Sequence, residues 1–153
     1  MKFRNAAIIL IYLMVMSVCF SARAEDIKII KVLPHYLDLE GRHAVSPSLF
    51  DRDAYQAFLM RNPEKCSGLR FDINWRAFKT QGLVLRVEMR GAADNGAKVY
   101  TVEKPVKKET FWGNWTTIYY SGEEFKQLGK LMAWRVTLWR GDQLISEQKS
   151  FLW

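Results

Sequence analysis

Leu69-Arg70-Phe71-Asp72-Ile73-Asn74-Trp75-Arg76 alternates without exception between an apolar and a polar side chain. A period of two belongs to a β-strand with one face buried and the other wet, because successive side chains point to opposite sides of a sheet. The pattern resumes after Thr80-Gln81-Gly82, where Leu83, Leu85, Val87 and Met89 alternate with Arg86, Glu88 and Arg90. Asp94-Asn95-Gly96 is a turn signal, since Asn and Gly tolerate the left-handed backbone a tight turn needs. Lys98 to Glu103 reads as a further strand, and Pro105 at its end favours a sheet edge, where a missing N–H costs nothing. Trp115 to Tyr120 is another strand. Ser121-Gly122-Glu123-Glu124 has capping-box spacing and predicts one helical turn through Leu128. Ala133–Arg140 and Leu144–Leu152 flank Gly141-Asp142-Gln143 as a hairpin. Its Arg140-Gly141-Asp142 tripeptide is an ordinary turn before it is an adhesion motif.

Upstream the pattern is less regular. Ile27 to Leu33 reads as a strand that Pro34 stops, with His35 to Gly41 irregular. Ser46 to Met60 predicts one helix of about ten residues, capped by Ser48 or Asp51 and closed by Pro63. Tyr55 with Leu59, and Ala54 with Phe58, place an apolar stripe on it. Strands with short turns, and one helix, predict an all-β fold: an immunoglobulin-like antiparallel β-sandwich of seven or eight strands, with Trp75 as its central core tryptophan. The Cys…Trp…Cys pattern of antibody domains is absent.

Met1 to Ala24 has the three-part layout of a secretory signal peptide. Lys2 and Arg4 are followed by the uncharged run Ala6 to Phe20, and Ala22 and Ala24 supply small residues at a cleavage position. The run is shorter than a spanning helix needs. Val18 before Cys19 is larger than a lipidation signal favours. The reading is therefore residues 1–24 as signal and residues 25–153 as a single domain exported to the periplasm or beyond. The formal net charge of the chain is +7, and three of the excess positive charges (Lys2, Arg4, Arg23) lie in the signal, which leaves +4. Those charges are interleaved with acids, so they argue for solvated strand faces and against a nucleic-acid partner. Two rivals stand beside the sandwich. One is a small outer-membrane β-barrel, for which the alternation and the terminal Phe151-Leu152-Trp153 speak. The other is a carbohydrate-binding module using exposed tryptophans.

The strings Ala133-Trp134-Arg135-Val136-Thr137-Leu138-Trp139, Gly141-Asp142-Gln143-Leu144 and Gln148-Lys149-Ser150-Phe151-Leu152-Trp153 resemble small exported bacterial proteins of unknown function. Ser46-Pro47-Ser48-Leu49 and Asp51-Arg52-Asp53-Ala54-Tyr55-Gln56 share the resemblance. It implies an immunoglobulin-like sandwich and no catalytic residues.

No phosphate-binding glycine loop, nucleophile elbow or paired-histidine metal helix occurs in the sequence. His35 and His43 lie in one segment with Asp38 and Glu40, a set that falls short of the usual three protein ligands of catalytic zinc. Neither a metal nor a cofactor is expected. Cys66 is the one cysteine after the signal and reads as a free, partly buried thiol without a base to activate it. Tryptophan is the remaining handle. Trp75 and Trp134 fall on apolar faces, whereas Trp139 falls on a polar face and Trp112 in the loop Phe111-Trp112-Gly113-Asn114. Trp112 and Trp139 are the candidate contact residues of a non-enzymatic protein that binds or scaffolds an envelope protein or polysaccharide.

Overall fold

A computed structural model describes residues 27–107 and 114–153. Seven strands and two helices follow in the order β1 (Lys28–Asp38), α1 (Leu49–Arg61), β2 (Cys66–Arg76), β3 (Leu83–Gly91), β4 (Tyr100–Pro105), β5 (Asn114–Ser121), α2 (Glu123–Leu128), β6 (Leu131–Arg140) and β7 (Gln143–Lys149). The strands form two antiparallel sheets, one ordered β1-β2-β5 and the other β4-β3-β6-β7. The protein is an all-β sandwich.

The alternation of the sequence becomes the core directly. Leu69, Phe71, Ile73 and Trp75 of β2 face Leu83, Leu85, Val87 and Met89 of β3, joined by Val136 and Leu138 of β6, and all are essentially solvent-free. Trp75 is fully buried, and its indole Nε1 donates to Thr116 Oγ1 at 2.8 Å, so the one polar atom it carries into the core is satisfied. Arg70, Asp72, Arg86 and Glu88 occupy the opposite, outward faces of the same strands. This polarity is the reverse of a membrane barrel, whose apolar residues point outward. Among the described residues no helix is long and apolar enough to cross a membrane.

Two sequence expectations are corrected at β1. Pro34 does not end the strand, and His35 to Asp38 continue it, paired with Arg70 to Cys66. β1 is an edge strand, so proline is tolerated there. The edge is closed by side chains instead of by another strand. Gln56 of α1 accepts from Tyr36 N at 2.7 Å and donates to Tyr36 O at 2.9 Å, taking the place of a neighbouring strand. Nearer the start of β1, Ile29 N donates to Ser146 Oγ, and Gln148 Nε2 donates to Ile30 O, which stitches β1 to β7 across the sandwich seam.

The helices also differ in part from expectation. The described residues hold both of the expected helical segments, and α1 runs to 13 residues where about ten were expected. Ser48 caps it as its spacing implies, accepting from Asp51 N, and Leu59 is its fully buried anchor. At α2 the capping box does not form: Gly122 occupies the N-cap and makes no side-chain bond. α2 instead presses against the end of β3, where a Cβ on Gly91 would sit 1.8 Å from the Leu128 carbonyl oxygen. Only glycine fits there. Pro105 ends β4 on the edge of its sheet, and Gly141, with φ of 56°, turns the β6–β7 hairpin.

Candidate functional site

The two outer faces of the sandwich carry aromatic residues in different states. On the four-stranded sheet Trp139 is half-buried. Its Nε1 donates to Thr137 Oγ1 at 2.8 Å, and the Arg86 guanidinium lies 4.8 Å from its ring centre. Arg86 in turn donates to Glu103 at 2.6 Å. Further along, Trp153 lies 4.7 Å from the Arg90 guanidinium and 5.0 Å from that of Arg135, which forms a two-pronged pair with Glu88 at 2.7 and 2.9 Å. Arginines of the protein itself therefore engage the aromatic rings of this face. Of the two tryptophans singled out by sequence, Trp139 belongs to this ladder and Trp112 lies outside the described residues.

The three-stranded sheet presents a different surface. Pairing fixes three rows across its outer side: Lys31–Asn74–Trp115, Leu33–Asp72–Thr117 and His35–Arg70–Tyr119. Lys28 and Arg76 pair at one end. Trp115 and Tyr119 are 49% and 56% exposed, a large fraction for aromatic rings on a regular strand. They sit on the same face of β5, roughly 13 Å apart at 3.3 Å per residue.

Between them lies a hydrogen-bonded polar stripe. Asp72 accepts from Arg70 Nε at 2.9 Å and from Thr117 Oγ1 at 2.7 Å, which holds the carboxylate and the guanidinium flat against the sheet. Arg70 Nη1 donates to His43 Nδ1 at 3.4 Å, which places the proton of His43 on Nε2. The His35 and His43 rings lie 5.1 Å apart, and His35 Nε2 stands 3.9 Å from Asp72 Oδ2. Burial and then the neighbouring His43 depress the His35 pKa, with Asp72 opposing them; burial and then Arg70 depress that of His43. Both rings are thus neutral at pH 7. The two histidines come together as their proximity in sequence suggests, but their carboxylate neighbour is Asp72. Among the described residues no group of three His, Cys, Asp or Glu is arranged to hold a metal ion.

Asp38 has a separate task. It accepts from Glu40 N, Arg42 N, Arg42 Nε and Tyr55 Oη at 2.7 to 2.9 Å. Burial pushes its pKa up, but the Tyr55 and Arg42 hydrogen bonds outweigh it and hold the carboxyl at about 2. The network pins the β1–α1 turn to the helix. It forms one wall of an open pocket of about 290 Å³ lined by Arg42, Phe58 and Lys65, among others.

Cys66, the free thiol, is half-buried beneath the C-terminus of α1. It donates to the Leu59 carbonyl oxygen at 3.3 Å, an acceptor that the Asn62 N–H also bonds at 3.0 Å. Burial and the nearby Glu64 raise its pKa, so the reactive thiolate is disfavoured.

Sequence reading missed Trp115 and Tyr119 as surface residues, although a signal was present. Ile118 must face inward, which sets the parity of the strand and turns 115, 117 and 119 outward. No protein-family model, curated protein or solved structure matches the chain.

Proposed function

We propose that this chain is an exported, non-enzymatic binding module of the cell envelope, and that it makes contact through the outer face of the β1-β2-β5 sheet. The observation that carries this reading is the pair of exposed rings, Trp115 and Tyr119, on one side of a regular strand beside a fixed polar stripe. Exposed aromatics on a rigid element lose little side-chain entropy on binding and supply much apolar contact, so they are efficient anchors. On the opposite outer face Trp139 and Trp153 are half-buried with arginines 4.7 to 5.0 Å from their ring centres, whereas here the Arg70 guanidinium stands 6.0 Å from Tyr119 and leaves that ring 56% exposed.

Export rests on the signal layout of residues 1–24. The strand order β1-β2-β5 against β4-β3-β6-β7 supports the immunoglobulin-like reading: it differs from the constant-type arrangement in pairing the fourth strand with the third instead of the fifth. A carbohydrate-binding module is the specific form the ring pair favours, with Trp115 and Tyr119 as its platform.

The test is sedimentation of the purified protein with isolated envelope fragments, using a Trp115→Ala/Tyr119→Ala double variant and a Trp139→Phe control. Retention should fall about tenfold in the double variant and stay unchanged in the control, with equal thermal midpoints for all three. Equal retention of the double variant removes this face from consideration.

A further inference from the structure

We infer that His43 is a proton-released latch on the contact face proposed above, an inference that rests on that face being the binding surface. On taking up a proton the His43 ring leaves the sheet and uncovers His35 and Arg70 beside Tyr119. These three covered and uncovered residues form one cross-strand row, His35–Arg70–Tyr119, on the outer side of the sheet. Tyr119 is 56% exposed, whereas His35 at the other end of the row is 8% exposed although it points outward. The His43 ring lies against it, with ring centres 5.1 Å apart.

One hydrogen bond makes this cover sensitive to protons. Arg70 Nη1 donates to His43 Nδ1 at 3.4 Å. An arginine can only donate, so the neutral ring carries its proton on Nε2 and a second proton can enter only at Nδ1. Protonation of His43 and its bond from Arg70 are therefore mutually exclusive. A charged ring left in place aims an N–H at a guanidinium. The other charged groups around the two rings are Asp72 from β2 and Arg52 from α1, the latter paired with Asp53 at 3.2 Å. Arg70 and Arg52 oppose a charge on either ring, and Asp72 favours one. Asp72 serves the two histidines unequally: its Oδ2 lies 3.9 Å from His35 Nε2, while its Oδ1 accepts from Arg70 and Thr117. A protonated His35 is thus drawn onto β2, where it adds a further cation beside His43.

The backbone lets the ring leave alone. Asp38 accepts from Glu40 N and Arg42 N on one side of His43, Ser48 caps α1 on the other, and Gln56 Nε2 donates to the His43 carbonyl oxygen at 2.8 Å. Asp38, with its carboxyl held at about 2, stays ionised where histidines titrate, so its anchor survives. Release is a side-chain rotation on a fixed loop. It frees Arg70 Nη1 while Arg70 Nε stays on Asp72 at 2.9 Å, and it offers a ligand seated on Tyr119 a further donor and the His35 ring. A released His43 titrates at the ordinary value of 6.5, so below that pH the ratio of released to latched molecules rises by up to about tenfold per unit.

Two measurements on the purified protein test the latch. In proton NMR, Overhauser contacts between the His35 and His43 rings should be present at pH 7.5 and lost at pH 5, with the sheet amides undisturbed. Contacts that persist at pH 5 overturn the latch and leave the contact face standing. In sedimentation with envelope fragments at the same two pH values, retention of the parent should rise at least about threefold on acidification. His43→Gln keeps an acceptor for Arg70 and cannot titrate, so it should hold the low level at both values, whereas His43→Ala should hold the high level at both. A parent that does not respond, or a response that His43→Gln shares, overturns the latch. Parent-level retention by Trp115→Ala/Tyr119→Ala overturns the contact face and, with it, the regulation.

Discussion

Replacing Asp38 with Asn removes one charge from a turn that anchors α1 to β1. The carboxylate receives two backbone N–H bonds, the Arg42 guanidinium at 2.9 Å and the Tyr55 hydroxyl at 2.7 Å, and its side chain is 9% exposed. Its pKa falls from 3.8 to about 2 in the folded protein. At 1.36 kcal/mol for each pH unit, that difference corresponds to roughly 2.5 kcal/mol of stability at neutral pH. Arg42 is half exposed, so solvent screening trims the contribution to about 1.5–2 kcal/mol. A depressed carboxyl pKa stabilises the fold above the unfolded value and loses that effect as pH falls. The advantage of the parent over Asp38→Asn should therefore be complete above pH 4 and shrink between pH 4 and pH 2. Urea unfolding of both proteins across this range measures it. The difference between the two isolates Asp38 from every other titrating group. A gap that stays constant from pH 7 to pH 2 would show that the charge of Asp38 is not what holds the turn.

Other consequences follow from separate parts of the structure. The depressed pKa values of His35 and His43 mean that the unfolded chain takes up protons first as pH drops below 6.5. Stability should thus decline from pH 7 toward pH 5, and His43→Gln should flatten that slope in a denaturation series. Trp75→Phe should cost about 2–3 kcal/mol in urea unfolding, through the lost bond to Thr116 and a cavity in the fully packed core. Gly91→Ala should cost about 3 kcal/mol or more, because the added methyl meets the Leu128 carbonyl; a thermal midpoint close to the parent contradicts that account of the α2 contact. Cys66 should react with a thiol reagent far more slowly in the native protein than in urea, and comparable rates would contradict its half-buried placement beneath the C-terminus of α1.

The parts legible in the sequence are those governed by local periodicity. β2 and β3 declare their buried sides through unbroken alternation, and Ser48 announces α1 through its spacing to Asp51. What was not legible depends on partners distant in sequence. Pro34 looks like a strand terminator until Gln56, twenty-two residues on, is found serving the neighbouring Tyr36 as a surrogate strand. Ser121 and Glu124 have the spacing of a capping box, yet Gly122, with φ of 75°, takes the N-cap position and the helix begins at Glu123. The contact surface shows the same division. That Trp139 faces outward is visible from alternation in β6. That Arg86 covers one side of it, while Trp115 stands open, depends on how β3 pairs with β6 and β2 with β5. His35 and Asp72 likewise meet only because β1 pairs with β2 in this register.

The most direct measurement of the central claim is photo-crosslinking in living cells with a benzophenone side chain placed at position 115 or at position 101. Thr101 is exposed on the outer face of the four-stranded sheet and serves as the control. The account predicts a higher-mass adduct from position 115 and none from position 101. An adduct from position 101 with none from position 115 would contradict it.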